Sequence, residues 1–265
     1  MRRDRYPNAT VNPAVAIVPA AYRGGVMMRV ISYNLRKHRA ARELAELADR
    51  WEANLLCLQE CDTLNMPEHI AGLKLARMTS RNRLGLALYY RENTFQLQDV
   101  VSLALKKSLH DHILRPAHER VLGARLRDID AGRDVIVASF HAAPLTALNS
   151  LRRHQIRTAL TQLQELGSGL PTLMVGDYNY PVFKEKLGER VRRHGYDLTL
   201  SDARTYTRYR FFRGHYDFAT SIGLDIDRVT TLPQGASDHL PILVTADYRR
   251  RDGGGAIEEP ATAAS

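Results

Sequence analysis

What most constrains this chain is a recurring pattern. Short apolar runs of strand-forming residues each stop at a polar side chain suited to chemistry. Thr172-Leu173-Met174-Val175 runs into Gly176-Asp177-Tyr178-Asn179, so a carboxylate and an amide stand two residues apart just beyond an apolar segment. A continuous apolar run of this length reads as a buried strand, and the glycine admits a sharp backbone where the strand ends. Asp177 and Asn179 are thereby delivered to the rim of a sheet. The predicted strand Arg29–Tyr33 ends in Asn34, the run from Asn54 to Gln59 ends in Glu60, and Val135–Phe140 ends in His141. Later, His215-Tyr216-Asp217 opens a strand, and Ser237-Asp238-His239 lies in the loop before the last one. Taken singly, each is a turn-capping Asx residue or a surface histidine. Taken together, one shared rim would collect them.

The collected residue types suit one job. Glu60 and the acids and amides around it are hard oxygen ligands, which favour Mg²⁺ or Mn²⁺ over zinc. Histidines and an asparagine can donate to phosphate oxygens, and a carboxylate can orient or deprotonate water. That inventory supports in-line attack on phosphorus with charge neutralisation by a metal. The chain has no Cys/His zinc spacing, no phosphate loop ending in Gly-Lys-Ser/Thr and no Gly-x-Ser-x-Gly elbow.

At 265 residues the chain can bury one large core, and 44% hydrophobic with 25% charged residues is the composition of a soluble globular domain. No apolar run reaches the length of a membrane span. Cys57 and Cys61 read as reduced core thiols, which points to the cytoplasm. Net charge is +9, and residues 28–248 remain basic without the Arg-rich N-terminal segment. Such a balance fits a polyanionic partner, a nucleic acid or an anionic lipid surface.

Residues 1–27 read as a disordered extension, with Met27 or Met28 as the true start. The apolar stretch Ala14–Ala21 is too interrupted by Pro13 and Pro19 to make a strong signal peptide. Residues 249–265 read as a disordered tail. Between them strands are expected at Arg29–Tyr33, Asn54–Leu58, Leu86–Tyr90, Val121–Leu126, Val135–Phe140, Leu173–Val175, Tyr216–Thr220 and Ile242–Thr245. Helices are expected at Ala41–Trp51 and Ala147–Leu166. Many strands and few helices imply stacked sheets flanked by helices. His38, His110, His112, His118 and His154 read as surface residues. Arg204–Arg213, with interleaved Tyr and Phe, reads as a nucleic-acid-facing or simply solvated loop.

In order, Ser32-Tyr33-Asn34-Leu35, Leu58-Gln59-Glu60, Ser139-Phe140-His141, Val175-Gly176-Asp177-Tyr178-Asn179, Tyr216-Asp217-Phe218 and Ser237-Asp238-His239-Leu240-Pro241 resemble the endonuclease/exonuclease/phosphatase superfamily over residues 28–248. The resemblance implies a four-layer α/β sandwich, two packed mixed sheets with helices outside, hydrolysing phosphoesters with Mg²⁺ or Mn²⁺. It implies Glu60 as main metal ligand with Asn34 and Asp238 near the ion. Asp177 would position or deprotonate water, and Asn179 would hold water or phosphate. His239, oriented by Asp217, would bind the scissile phosphate or act as acid/base. His141 would contact phosphate or protonate the leaving group, and Arg120 would contact phosphate. The stretch from His141 to Pro144 is most similar to the deoxyribonuclease branch, but Arg81-Asn82-Arg83-Leu84 lacks that branch's acid and its disulfides are impossible here. The leading expectation is a monomeric nuclease acting on DNA or RNA. The alternatives are a phosphatase or phospholipase-C-like hydrolase, and an inactive nucleic-acid-binding module.

Overall fold

The computed structural model describes residues 27–80, 84–108, 119–180, 184–206 and 214–249. The expected extension and tail, His110, His112, His118, Arg81–Arg83 and residues 207–213 lie outside these, apart from Met27 and Arg249. In order come β1 (Met28–Asn34), a 3₁₀ turn (Ala41–Glu43) continued by α1 (Leu44–Arg50), β2 (Leu55–Cys61), β3 (His69–Ile70), β4 (Leu73–Met78), β5 (Gly85–Arg91), β6 (Phe95–Ala104), β7 (Glu119–Asp128) and β8 (Arg133–His141). They are followed by α2 (Asn149–Glu165), β9 (Thr172–Asp177), α3 (Lys184–Arg192), β10 (Asp197–Leu200), β11 (Asp217–Ile222), β12 (Leu224–Thr231) and β13 (Ile242–Tyr248).

The strands form two sheets, β12-β13-β1-β2-β5-β4-β3 and β10-β11-β9-β8-β7-β6. Both are mixed, since β1/β2 and β8/β9 run parallel while their other partners are antiparallel. The layering follows from the period of two along fully buried strands. Met28 and Val30 of β1 join Leu55 and Cys57 of β2, Val135 and Val137 of β8, and Leu173 and Val175 of β9 in one core between the sheets. The alternate residues Ile31 and Tyr33 pack outward against Leu44 and Ala48 of α1. Ile136, Ala138, Phe140 and Met174 pack outward against Ile156, Ala159, Leu160 and Leu163 of α2. Strands buried on both faces, with each such Leu, Ile or Val worth about 1.5–3 kcal/mol, require helices on the outside. The result is the expected four-layer sandwich.

Cys57 and Cys61 are free, buried and on opposite faces of the first sheet. Arg249, expected in the tail, is ion-paired to Asp197 and Asp225 at 2.8 Å each and so ties the end of β13 to β10 and β12. Among the described residues no helix is long and apolar enough to cross a membrane.

Candidate active site

The inner face of the sandwich stops being apolar at one end, and the same period of two places the change. Four residues on from Val30, Val137 and Leu173 stand Asn34, His141 and Asp177. Between core and site lies a polar layer in which Gln59 Nε2 donates to Ser32 Oγ (3.2 Å), Cys57 O (2.9 Å) and Ser139 Oγ (2.9 Å), while Ser139 Oγ donates to Leu58 O (3.1 Å). Ser139 belongs to one sheet and Gln59 to the other, so this layer fixes their relative position just below the site.

In the second sheet His141, Asp177 and Asp217 are direct cross-strand partners, making one row across β8, β9 and β11. The row depends on Gly176, because a Cβ there would lie 1.9 Å from Phe140 O on the neighbouring strand. Asp177, 1% exposed, is the hub. Its Oδ1 accepts from Asn179 N (2.9 Å), and its Oδ2 accepts from Asn179 Nδ2 (3.0 Å) and, across the sheets, from Asn34 Nδ2 (3.1 Å). His141 Nε2 and His239 Nε2 each lie 3.7 Å from the same Oδ2. His239 Nδ1 is 2.8 Å from Asp217 Oδ2.

Burial, the largest influence on Asp177, drives its carboxyl up to about 7; Asp217 adds to that rise and His239 opposes it. For His239 burial is again largest and works against the charged ring, yet Asp217 and Asp177 together outweigh it and hold the ring up to about 10. The site thus pairs a carboxyl that exchanges its proton near neutrality with an imidazolium that keeps its own.

The first sheet supplies a strained rim. Glu60 has a φ of 55°, and Arg36, Lys37 and His38 follow one another at 49°, 54° and 69°; across from them Asn179, just beyond β9 of the second sheet, has a φ of 47°. Left-handed backbone costs roughly 1–2 kcal/mol per non-glycine residue, so this turn exists because its contacts hold it. Arg36 N donates to Asn34 Oδ1 (3.0 Å), and Lys37 N donates to Glu60 Oε2 (2.9 Å). Glu60 sits in a bulge between β2 and β5, which switches the following Cys61 to the outer face. Its charge reaches Asp177. Asp238 Oδ2 is 3.6 Å from Arg36 Nε.

The structure therefore gathers Asn34, His141, Asn179 and His239 around Asp177, with Asp217 behind His239, and sets Glu60 and Asp238 against the turn at Arg36 and Lys37. Among the described residues the acid and histidine atoms that crowd within 4.8 Å are those of Asp177, Asp217 and His239. Arg120 is buried, and its Nη1 donates to the carbonyls of His141 (3.3 Å) and Ala142 (3.0 Å) at the end of β8. His38 is half-buried, with Nδ1 accepting from Asp62 N (3.2 Å), whereas His154 is exposed as expected.

Several supporting contacts leave no pattern in the sequence. Thr205 Oγ1 accepts from the amides of Tyr216 and Asp217 (3.1 Å each), and the Tyr206 ring meets His239 edge-on with centroids 4.9 Å apart. Ser237 Oγ donates to Asn34 O (2.6 Å), and Glu43 Oε1 accepts from Ala236 N (2.6 Å), anchoring the loop that carries His239. Arg152 of α2 is 2% exposed and donates to Pro144 O (3.0 Å), Leu145 O (3.3 Å) and Ala147 O (2.6 Å). Gln155, one turn on, accepts from Ala143 N (2.9 Å). An Arg and a Gln three residues apart near the start of the leucine-rich helix that follows a strand-end histidine were the available signal.

The sequence profile of the Endonuclease/Exonuclease/phosphatase family matches residues 31–255. The chain belongs to this family. As a member it is a phosphoester hydrolase, and the family's use of divalent metals fits a site built from carboxylates, amides and histidine. Among solved structures, the family's representative from Bacteroides vulgatus has a TM-score of 0.69 at 12% identity, covering 85% of this chain and 100% of that one. D. rerio TDP2 complexed with single strand DNA product has a TM-score of 0.68 at 13% identity, covering 84% and 100%. A mannosyl-6-phosphatase from Bacteroides thetaiotaomicron VPI-5482 has a TM-score of 0.67 at 16% identity, covering 83% and 100%. These likenesses establish the shared fold. No curated protein sequence matches the chain.

Proposed function

We propose that this family member is a Mg²⁺- or Mn²⁺-dependent phosphodiesterase, a nuclease that hydrolyses DNA or RNA by in-line attack of water on phosphorus. The observation that carries the reading is the Asp177 carboxylate, 3.7 Å from both His141 Nε2 and His239 Nε2, with Asp217 behind His239. Asp177, held up to about 7, positions the water and takes its proton. His239, protonated and fixed by Asp217, stabilises the charge that develops on the phosphoryl oxygens. His141 stands on the other side of Asp177 and protonates the leaving oxygen. Asn179 holds water or a phosphate oxygen, and Arg120 adds positive charge behind His141.

Glu60, with Asn34 and Asp238, offers the hard oxygens that hold Mg²⁺ or Mn²⁺. When bound, such an ion neutralises phosphate charge and acidifies coordinated water. The basic composition and the TDP2 neighbour with its DNA product favour a nucleic-acid substrate. The mannosyl-6-phosphatase neighbour favours the alternative, a small phosphate ester. Presence of the complete set of acids, amides and histidines argues against an inactive binding module.

The test is a substrate panel with Mg²⁺ or Mn²⁺: single-stranded and duplex DNA, an abasic duplex, RNA, a sugar phosphate, sphingomyelin and a phosphoinositide. Asp177→Asn and His239→Ala are expected to lower kcat on the cleaved substrate by about 10²–10⁴-fold. Wild-type turnover in both variants would remove these residues from the chemistry. Cleavage of the sugar phosphate or a lipid alone would replace the nuclease reading and leave the hydrolase.

A further inference from the structure

The His239–Asp217 pair spans the two sheets. Asp217 is the first residue of β11 in the second sheet, whereas His239 lies in the loop between β12 and β13 of the first. Ser237 Oγ ties that loop to Asn34 O at the end of β1, which leaves its position against Asp217 unset. One residue meets both members of the pair. Thr205, in the connection from β10 to β11, is 0% exposed. Its Oγ1 accepts from the amides of Tyr216 and Asp217 (3.1 Å each), and its carbonyl accepts from the amide of Leu240 (2.7 Å), the residue after His239. Its own amide donates to Gly214 O (3.0 Å). Tyr206, next in the chain, pairs with His239 as an isolated antiparallel bridge and turns its ring edge to the imidazole. The β10/β11 ladder ends at Leu200 opposite Phe218, so Thr205 takes up the amides just beyond it.

We propose that Thr205 is a positioning residue of this hydrolase: it holds Asp217 and His239 in one register across the two sheets, so that the imidazole meets Asp177 with its carboxylate partner in place. Two features make the hydroxyl more than core filling. It is out of reach of solvent, so the two amides lose their acceptor when it is removed. It also fixes the backbone of the residue whose carboxylate lies 2.8 Å from His239 Nδ1, so a shift of Asp217 is passed directly to the ring. A misplacement of about 1 Å at an acting group costs about 10²-fold in rate. The effect of Thr205 on turnover rests on the role proposed above for His239; its effect on the pair does not.

The two effects are measured separately. In the full chain in EDTA, the proton between His239 Nδ1 and Asp217 is followed as a low-field proton NMR resonance, assigned by its loss in Asp217→Asn. Turnover is followed with Mg²⁺ and bis(p-nitrophenyl) phosphate. Thr205→Val keeps the shape and removes the acceptor. It is expected to lose that resonance and to lower kcat by about 10²-fold with KM unchanged. Thr205→Ser restores the oxygen and is expected to recover both. A cooperative thermal transition checks that each variant folds. Thr205→Ala, which leaves room for a water on the two amides, replaces the valine variant if that one does not fold, with the same losses expected in smaller degree. A wild-type resonance in the valine or alanine variant overturns the proposal, whatever happens to turnover. So does absence of the resonance from wild type, or a kcat loss that Thr205→Ser does not recover. Loss of the resonance at wild-type kcat keeps Thr205 as the holder of the pair and removes His239 from the chemistry. If wild type hydrolyses no ester, the hydrolase reading falls, and the resonance alone decides whether Thr205 holds the pair.

Discussion

His239 holds a proton that its burial alone would remove, because Asp217 lies 2.8 Å from Nδ1 and Asp177 flanks Nε2. The stability consequence has a definite sign. The folded ring titrates at about 10 against an ordinary 6.5, so its contribution is complete below pH 6.5 and is lost as pH rises toward 10. Metal-free protein is expected to lose about 1.4 kcal/mol of stability per pH unit from this one proton between roughly pH 7.5 and 9. Asp217→Asn removes the larger of the two attractions and flattens that slope. The buried Cys57 and Cys61 thiols, also pushed up by burial, add a separate loss above pH 9 that remains in the variant. Urea unfolding in EDTA across this range provides the measurement, and an Asp217→Asn slope equal to wild type would exclude the pairing as its cause. At this scale the sequence was informative where a polar residue interrupted an apolar strand. It was silent on Thr205 and Tyr206, which act through a backbone amide and a ring edge and leave no pattern in the chain.

At the scale of elements, the strands buried on both faces were legible because their apolar runs are continuous. Those exposed on one side were not. β6 carries Gln96, Gln98 and Asp99 on its open face, and β12 carries Asp225, Asp227 and Arg228, so neither stands out as apolar. α3, Lys-Glu-Lys-Leu-Gly-Glu-Arg-Val-Arg, is mostly charged and anchors through Leu187 and Val191. α2 was visible from its leucines, but its role in the site was not. Arg152 and Gln155 fasten the segment after His141 from the helix side, while Arg120 fastens the same strand end from β7. Arg152→Met is expected to cost about 2–4 kcal/mol of stability, since three carbonyls lose a charged donor. It should also lower kcat by about 10²-fold with little change in KM, because His141 loses its fixed position. The conservative Arg152→Lys, which can still reach one or two carbonyls, should recover part of both losses. Stability loss without a kcat loss would make Arg152 a packing residue only.

At the scale of the molecule, the site exists only where two sheets meet. Asn34 and Glu60 come from one sheet, His141, Asp177 and Asp217 from the other, and His239 from the loop that Glu43 and Ser237 tie back to the first. An ion held at that junction bridges halves of the sandwich that separate on unfolding, so ion affinity becomes folding stability. At about 100 times its dissociation constant, Mg²⁺ should stabilise the fold by about 2.7 kcal/mol. For a domain of this size that raises the thermal midpoint by about 5–10 °C. Glu60→Gln keeps the shape and an acceptor oxygen for Lys37 N but removes the charge, and the Mg²⁺-dependent rise should largely vanish in that variant. Lys106→Glu/Lys107→Glu, just beyond β6 and away from the catalytic cluster, should show the wild-type rise. An equal rise in wild type and Glu60→Gln would move the ion away from Glu60, toward the buried Asp177–Asp217–His239 group, whose atoms already lie within 4.8 Å of one another.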